Sequence, residues 1–185
     1  MAYRVRIYYL MKNKKLINLL IKKNKTISSV ESFTGGAFMS SLIKVPGASK
    51  VVCGGLITYQ EKIKINLLKI KKKNINKYGV VSKEIAKNMV INGFKKIKSN
   101  IVISFTGNAG PGKEEGKSNV GDIYIGLKYN EKIEVFFLSL KGSRNDIIKE
   151  SIKKAINILI EKIKEEKDDW KRKKLYKGRR KNIKH

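Results

Sequence analysis

Residues 101–105, Ile-Val-Ile-Ser-Phe, form a nearly unbroken apolar run that is too short for a helix and has no polar face. Such a strand is stable only when covered on both sides, as in the middle of a sheet with helices packed on its two faces. The rest of the chain supplies the covers. Leu10, Leu16, Ile17, Leu19, Leu20 and Ile21 recur on a helical period over residues 10–23, and Ile85, Met89, Val90 and Phe94 do so over 83–97, with Ser82 placed as the cap. Ile147, Ile148, Ile152, Ala155, Ile156, Leu159 and Ile163 give a last long helix a wide apolar face from Ser143 onward.

Between these helices lie the other strands. Residues 26–30 are rich in β-branched side chains and lead through Glu31-Ser32-Phe33-Thr34-Gly35-Gly36 into a helical pattern over 37–45, closed by Pro46-Gly47. Residues 51–59 read as a strand with a Gly54-Gly55 pair, the mark of a bulge or a close backbone approach. A lysine-rich helix is expected over 60–69, and Tyr78-Gly79 reads as a turn. Residues 120–128 and 133–140 read as two strands of a hairpin. Helices alternating with strands, plus one terminal hairpin, predict an α/β fold, a single-domain α/β sandwich with a mixed β-sheet. No internal repeat is present.

The pattern divides the chain into a domain over 10–163 and a basic tail over 164–185. Residues 162–185 hold twelve Lys or Arg against four Asp or Glu and few apolar side chains. The tail reads either as a solvated, partly helical extension or as an arm giving weak binding to nucleic acid or an acidic partner. Met11 opens a segment, MKNKKLINLL, that is an alternative start to Met1, and the sequence leaves that choice open.

Charge and cysteine content narrow the function. Lys plus Arg number 43 against 15 Asp plus Glu, a formal net charge of +28, where a small domain carries a magnitude of about 2 to 8. This favours anionic partners, a phosphorylated metabolite or a nucleic acid, although an Ile-, Asn- and Lys-heavy composition also fits codon bias acting on solvated surface. Cys53 is the only cysteine and His185 the only histidine, which rules out an internal disulfide, a zinc site of His/Cys type and Cys/His catalysis. Arg4 and Arg6 precede only a short apolar stretch, 7–11, below the length of a signal-peptide core. No apolar run reaches the roughly 18 to 20 residues of a membrane span, so a protein of the reducing cytoplasm is expected.

In open α/β sheets ligands bind beyond the carboxyl ends of the strands, where this sequence places its two glycine loops, 34–36 and 107–112. Ser32 stands between the first strand and its helix, either as a nucleophile beside N–H groups that hold an oxyanion or simply as a helix cap. With no histidine but His185, a serine nucleophile would need a lysine as base. Tyr59, Glu61, Lys62 and Lys64 cluster at the end of the second strand, and pattern alone does not choose among the lysines.

The motifs Glu31-Ser32-Phe33-Thr34-Gly35-Gly36, Val45-Pro46-Gly47-Ala48-Ser49, Gly55-Leu56-Ile57-Thr58-Tyr59 with Lys64 downstream, Tyr78-Gly79-Val80-Val81-Ser82, Thr106-Gly107-Asn108-Ala109-Gly110-Pro111, Val120-Gly121 and Gly142-Ser143-Arg144 fall in one order and spacing. Over residues 10–163 this order resembles the CinA C-terminal domain family, which includes stand-alone nicotinamide-nucleotide amidases and the C-terminal half of competence/damage-inducible proteins. The stand-alone members are the better likeness, because the N-terminal domain of the longer proteins has no counterpart in this sequence.

The resemblance implies hydrolysis of nicotinamide mononucleotide to nicotinic acid mononucleotide and ammonia, in pyridine nucleotide salvage, with no metal and no cofactor. It implies Ser32 as nucleophile, Lys64 as general base and Tyr59 as its assistant. Thr34, Gly35, Gly36, Thr106, Gly107, Ala109, Gly110 and Arg144 are the implied substrate-binding residues, with Arg144 toward the phosphate or the carboxamide. A homodimer is implied as well. Phe33 stands where the family usually has cysteine, Asn108 where it has isoleucine, Asn119 where it has proline, and Ser143 where it has aspartate. The rival expectation is a catalytically weakened member that serves as a basic nucleic-acid or protein binding module.

Overall fold

The computed structural model describes residues 2–112 and 118–181, with side chains described over 10–112 and 118–165. Five strands, β1 (Ile27–Glu31), β2 (Val52–Ile57), β3 (Ile101–Gly107), β4 (Asp122–Tyr129) and β5 (Lys132–Ser139), form one sheet in the order β2-β1-β3-β4-β5. β1 pairs in parallel with β2 and β3, whereas β3–β4 and β4–β5 are antiparallel. The sheet is therefore mixed, as the sequence predicts. β1 is buried at every residue and β3 at all but its last, as expected of strands covered on both faces.

Among the described residues six α-helices cover it: α1 (Ala2–Lys23), α2 (Ala37–Ile43), α3 (Glu61–Asn66), α4 (Lys72–Tyr78), α5 (Lys83–Lys96) and α6 (Arg144–Lys181). Side chains of one sheet face, including Ile27, Ile103, Phe105 and Ile125, pack with Leu16 and Leu20 of α1, Phe38 of α2, and Ala155 and Leu159 of α6. On the other face Val30 and Val102 meet Ile85, Met89 and Val90 of α5, with Ile75 of α4 beside them. The rings of Phe38 and Phe105 sit 5.1 Å apart, tying α2 to the central strand.

Several boundaries differ from the sequence reading, each for a local reason. α1 begins at Ala2, well before residue 10, because no Gly or Pro interrupts the chain from there to Lys23. β2 ends at Ile57 rather than 59: the Thr58 N–H is the last to bond β1, at Glu31 O (2.7 Å), after which the chain turns its carbonyls away from the sheet. The helix expected over 60–69 is only α3, and α4 was not foreseen. The chain breaks between them, with Lys69 at a positive φ of 57°, so that Leu68 and Ile70 both reach the core. The hairpin turn is tighter than expected, Asn130-Glu131 alone, with Asn130 at φ 52°. α6 runs through residue 164 to Lys181, into the segment read as tail, while residues 113–117 and 182–185 lie outside the described residues.

The Gly54-Gly55 pair does mark a bulge. Ile27 pairs with Val52 but Ser28 with Gly54, so Cys53 is the extra residue of β2. No helix among the described residues is long and apolar enough to cross a membrane.

Replacing Phe105, fully buried where α2 meets β3, with Ala is expected to cost about 3–5 kcal/mol, measured as a loss of unfolding free energy in urea.

Candidate active site

Glu31, at the end of β1, is a carboxylate with only 1% of its surface exposed. It accepts from Ser29 Oγ (3.0 Å), Gly36 N (3.0 Å), Phe38 N (3.1 Å) and Met39 N (3.0 Å). Three of these donors are backbone N–H groups at the start of α2, which have no partner within the helix, so the carboxylate does the capping that no side chain at Gly36 can do. Gly36 itself has φ 94°, a conformation that favours glycine. Across the strand pair, a Cβ on Gly55 would stand 2.5 Å from Ser29 Oγ, so glycine is what leaves room for the Ser29 to Glu31 bond.

The turn held in this way presents Ser32. Its N–H bonds Phe105 O (3.0 Å), fixing it over β3, and its Oγ receives a hydrogen bond from Lys64 Nζ at 2.9 Å. Lys64 is the one buried residue of α3, 2% exposed. Its Nζ also donates to the carbonyls of Thr58 (2.9 Å) and Tyr59 (3.0 Å), the groups freed where β2 leaves the sheet. Ser32 is thus not the cap of α2; that position is Gly36. Among the described residues the N–H group of Phe33, next along the turn and on the cavity wall, has no protein acceptor, which leaves it able to meet an oxyanion at Ser32.

Ser32 and Lys64 open on a cavity of about 440 Å³, also lined by Tyr59, Thr106, Gly107, Ala109, Gly110 and Arg144. Tyr59, expected as the assistant of Lys64, has an exposed side chain whose hydroxyl accepts from Arg144 Nη2 (3.0 Å). Nη1 of the same guanidinium donates to Gly110 O (2.6 Å), so Arg144 straps the glycine loop to the β2–α3 connection. Thr106 Oγ1 donates to Val80 O (2.6 Å). Of the residues singled out in the sequence, Thr34, Gly35 and Gly36 do not line the cavity: Thr34 is buried, and the Gly36 N–H is already taken by Glu31.

The four departures have definite places. Phe33 is 5% exposed, packed in the core and forming a wall of the cavity. The Asn119 N–H donates to Asp122 Oδ2 (2.8 Å). Ser143 caps α6, the helix carrying Arg144: its N–H and Oγ donate to Asp146 Oδ2 (3.1 and 2.6 Å), and its Oγ accepts from Asp146 N (3.3 Å). Ser and Asp are both favoured caps, so the position keeps its role.

Asn108 accepts at Oδ1 from Gly110 N (3.0 Å), while its Nδ2 is buried with no partner among the described residues, a condition that costs about 1–3 kcal/mol. Sequence reasoning assigned no site role to Glu31, Glu61, Asn108, Val80 or Val81, although the last four line the cavity. An acid closing a short strand otherwise without charge was the available signal for Glu31. No cluster of three or more His, Cys, Asp or Glu side chains among the described residues is arranged to hold a metal ion.

With fold and site in view, the comparisons with known proteins converge. Residues 11–163 match the family model of the CinA C-terminal domain. A competence-damage inducible protein of Clostridium botulinum (strain ATCC 19397 / Type A) is 43% identical over 142 residues, 77% of this chain and 35% of that protein. A CinA-like protein of Sulfurihydrogenibium sp. is 40% identical over 129 residues, 70% of this chain and 32% of that one. Among solved structures, a CinA superfamily protein of Klebsiella pneumoniae superposes with a TM-score of 0.82 at 20% identity, over 85% of this chain and 98% of that chain. The chain belongs to the CinA C-terminal domain family. It spans about a third of the length of the relatives it matches.

Two predictions follow from this geometry. Glu31→Ala strands the N–H groups that cap α2 and is expected to cost about 3 kcal/mol or more, read from urea unfolding. The Ser143 hydroxyl and N–H hold the Asp146 carboxyl below its ordinary value of 3.8. A lowered folded value means that the cap's contribution is full at neutral pH and is lost as pH falls through the acid range. Ser143→Ala should return the Asp146 titration, followed by NMR, toward 3.8.

Proposed function

We propose that this chain is an amidohydrolase that converts nicotinamide mononucleotide to nicotinic acid mononucleotide and ammonia by a Ser-Lys mechanism. The observation that carries the reading is the 2.9 Å contact between Lys64 Nζ and Ser32 Oγ at the wall of a cavity. It is supported by family membership and by the motif resemblance, which implies Ser32 as nucleophile and Lys64 as base.

In the neutral amine, two hydrogens remain on the carbonyls of Thr58 and Tyr59 and the lone pair faces the Ser32 hydroxyl. Lys64 takes the hydroxyl proton as Ser32 Oγ attacks the carboxamide carbon. The negative oxygen of the tetrahedral intermediate is met by the N–H group of Phe33. The proton on Lys64 passes to the amide nitrogen, the C–N bond breaks, and ammonia leaves an ester on Ser32. Water then attacks that ester with Lys64 again as base, releasing the acid and restoring the serine. Arg144 and the glycine loop hold the nucleotide, and Tyr59 orients the guanidinium through its hydroxyl.

Ammonia release from nicotinamide mononucleotide tests the reading directly. Ser32→Ala and Lys64→Met are each expected to lower turnover by about 10⁴- to 10⁶-fold while the protein stays folded by circular dichroism. Near wild-type turnover in Ser32→Ala refutes the mechanism. Only the neutral amine is a base, so kcat/KM in the wild type should rise with pH through the loss of the Lys64 proton.

A further inference from the structure

The cavity contains a donor that the chemistry above does not use. Asn108 lies in the loop after β3, 9% exposed, and forms part of the cavity wall. Its backbone is held at both groups, the N–H bonding Asp122 O (3.0 Å) and the carbonyl accepting from Gly121 N (2.7 Å). Its side chain is oriented as well. Oδ1 accepts from Gly110 N, and because a backbone N–H can only donate, that bond fixes which end of the amide is oxygen. The other end, Nδ2, has no hydrogen-bond partner among the described residues.

A buried NH₂ group left unpaired in a wall made of glycine-loop backbone is a cost that a ligand oxygen would remove. Two further donors border this loop, one on it and one bonded to it. Among the described residues the Ala109 N–H has no protein acceptor. The Arg144 guanidinium, fixed against Gly110 O and Tyr59 OH, still has N–H groups to give beyond these two bonds. An amide NH₂, a backbone N–H and a guanidinium around one loop make an arrangement for an anionic oxygen rather than for a neutral ring.

We propose that Asn108 is a substrate-specificity residue of this chain, its Nδ2 donating to a phosphate oxygen of the phosphorylated ligand. The inference rests on reading the cavity as the site of a phosphorylated amide. It gives the asparagine a part that an aliphatic side chain, isoleucine in the family pattern, cannot play.

Binding separates this role from turnover and from loop structure. Ribose 5-phosphate is the probe, titrated calorimetrically into the full chain, with nicotinamide mononucleotide and nicotinamide riboside titrated into the Ser32→Ala protein so that neither is consumed. Asn108→Asp keeps an oxygen for the Gly110 N–H and loses the donor; Asn108→Ala loses both. Both variants are expected to weaken ribose 5-phosphate and the nucleotide by about ten- to a hundredfold and to leave the riboside within a factor of two. The inference is overturned if Asn108→Asp binds ribose 5-phosphate as the unaltered protein does, if the riboside is weakened equally, or if the unaltered protein does not bind ribose 5-phosphate. Absence of ammonia release alongside Asn108-dependent binding would instead refute the amidase reading and leave this one standing.

Discussion

The Glu31 carboxylate is the interaction on which the rest of the site depends. A charge taken out of water is costly unless its lone pairs are met, and here three backbone N–H groups and the Ser29 hydroxyl meet them. Hydrogen bonds to a charged group contribute about 1.5–3 kcal/mol each, enough to hold a turn with two successive positive-φ glycines, Gly35 and Gly36. The same bonds set the direction in which α2 leaves the sheet and so bring Phe38 onto Phe105. Ser32 is the next residue along, and its position over β3 follows from that anchor.

The second constraint is a buried lysine. α3 is a short helix whose one fully buried side chain is Lys64, with Ile65 only partly buried against the core, so apolar packing holds it only in part. The rest of the hold is the meeting of Lys64 Nζ with Thr58 O, Tyr59 O and Ser32 Oγ. β2 has to end early for those two carbonyls to turn inward. The strand boundary and the chemistry of the site are one fact described at two levels.

This explains which parts of the protein were legible in the sequence. Periodicity identified β1, β3 and the packed helices because Val30, Ile103, Phe105, Ile85 and Leu159 carry the core directly. α4 was missed because it buries only Ile75, too little apolar signal to rise above its lysines. The end of β2 was misplaced because Thr58 and Tyr59 have strand-forming side chains, and the reason they leave the sheet lies in their carbonyls, which no side-chain pattern reports. Ser32, Tyr59 and Lys64 are singled out by family motifs rather than by spacing, since many lysines compete for the same role; the fold brings Ser32 and Lys64 together and gives the Tyr59 hydroxyl to Arg144. Thr34, Gly35 and Gly36 were placed at the ligand because glycine loops so often meet one; here the Gly36 N–H is spent on Glu31. Asn108 was visible only as a departure, and its unpaired nitrogen emerges only once the loop is folded.

The extra residue at Cys53 has a consequence for behaviour in a crowded solution. β2 is an outer strand of the sheet, and a flat outer strand offers a row of unpaired N–H and C=O groups to any other chain. The two-against-one register at Cys53, followed by Gly54 at φ 130°, breaks that row where it would otherwise be continuous. The bulge thereby acts as a safeguard against edge-to-edge polymerisation, on the side of the sheet where exposed Ile43 and Ile57 would most favour it.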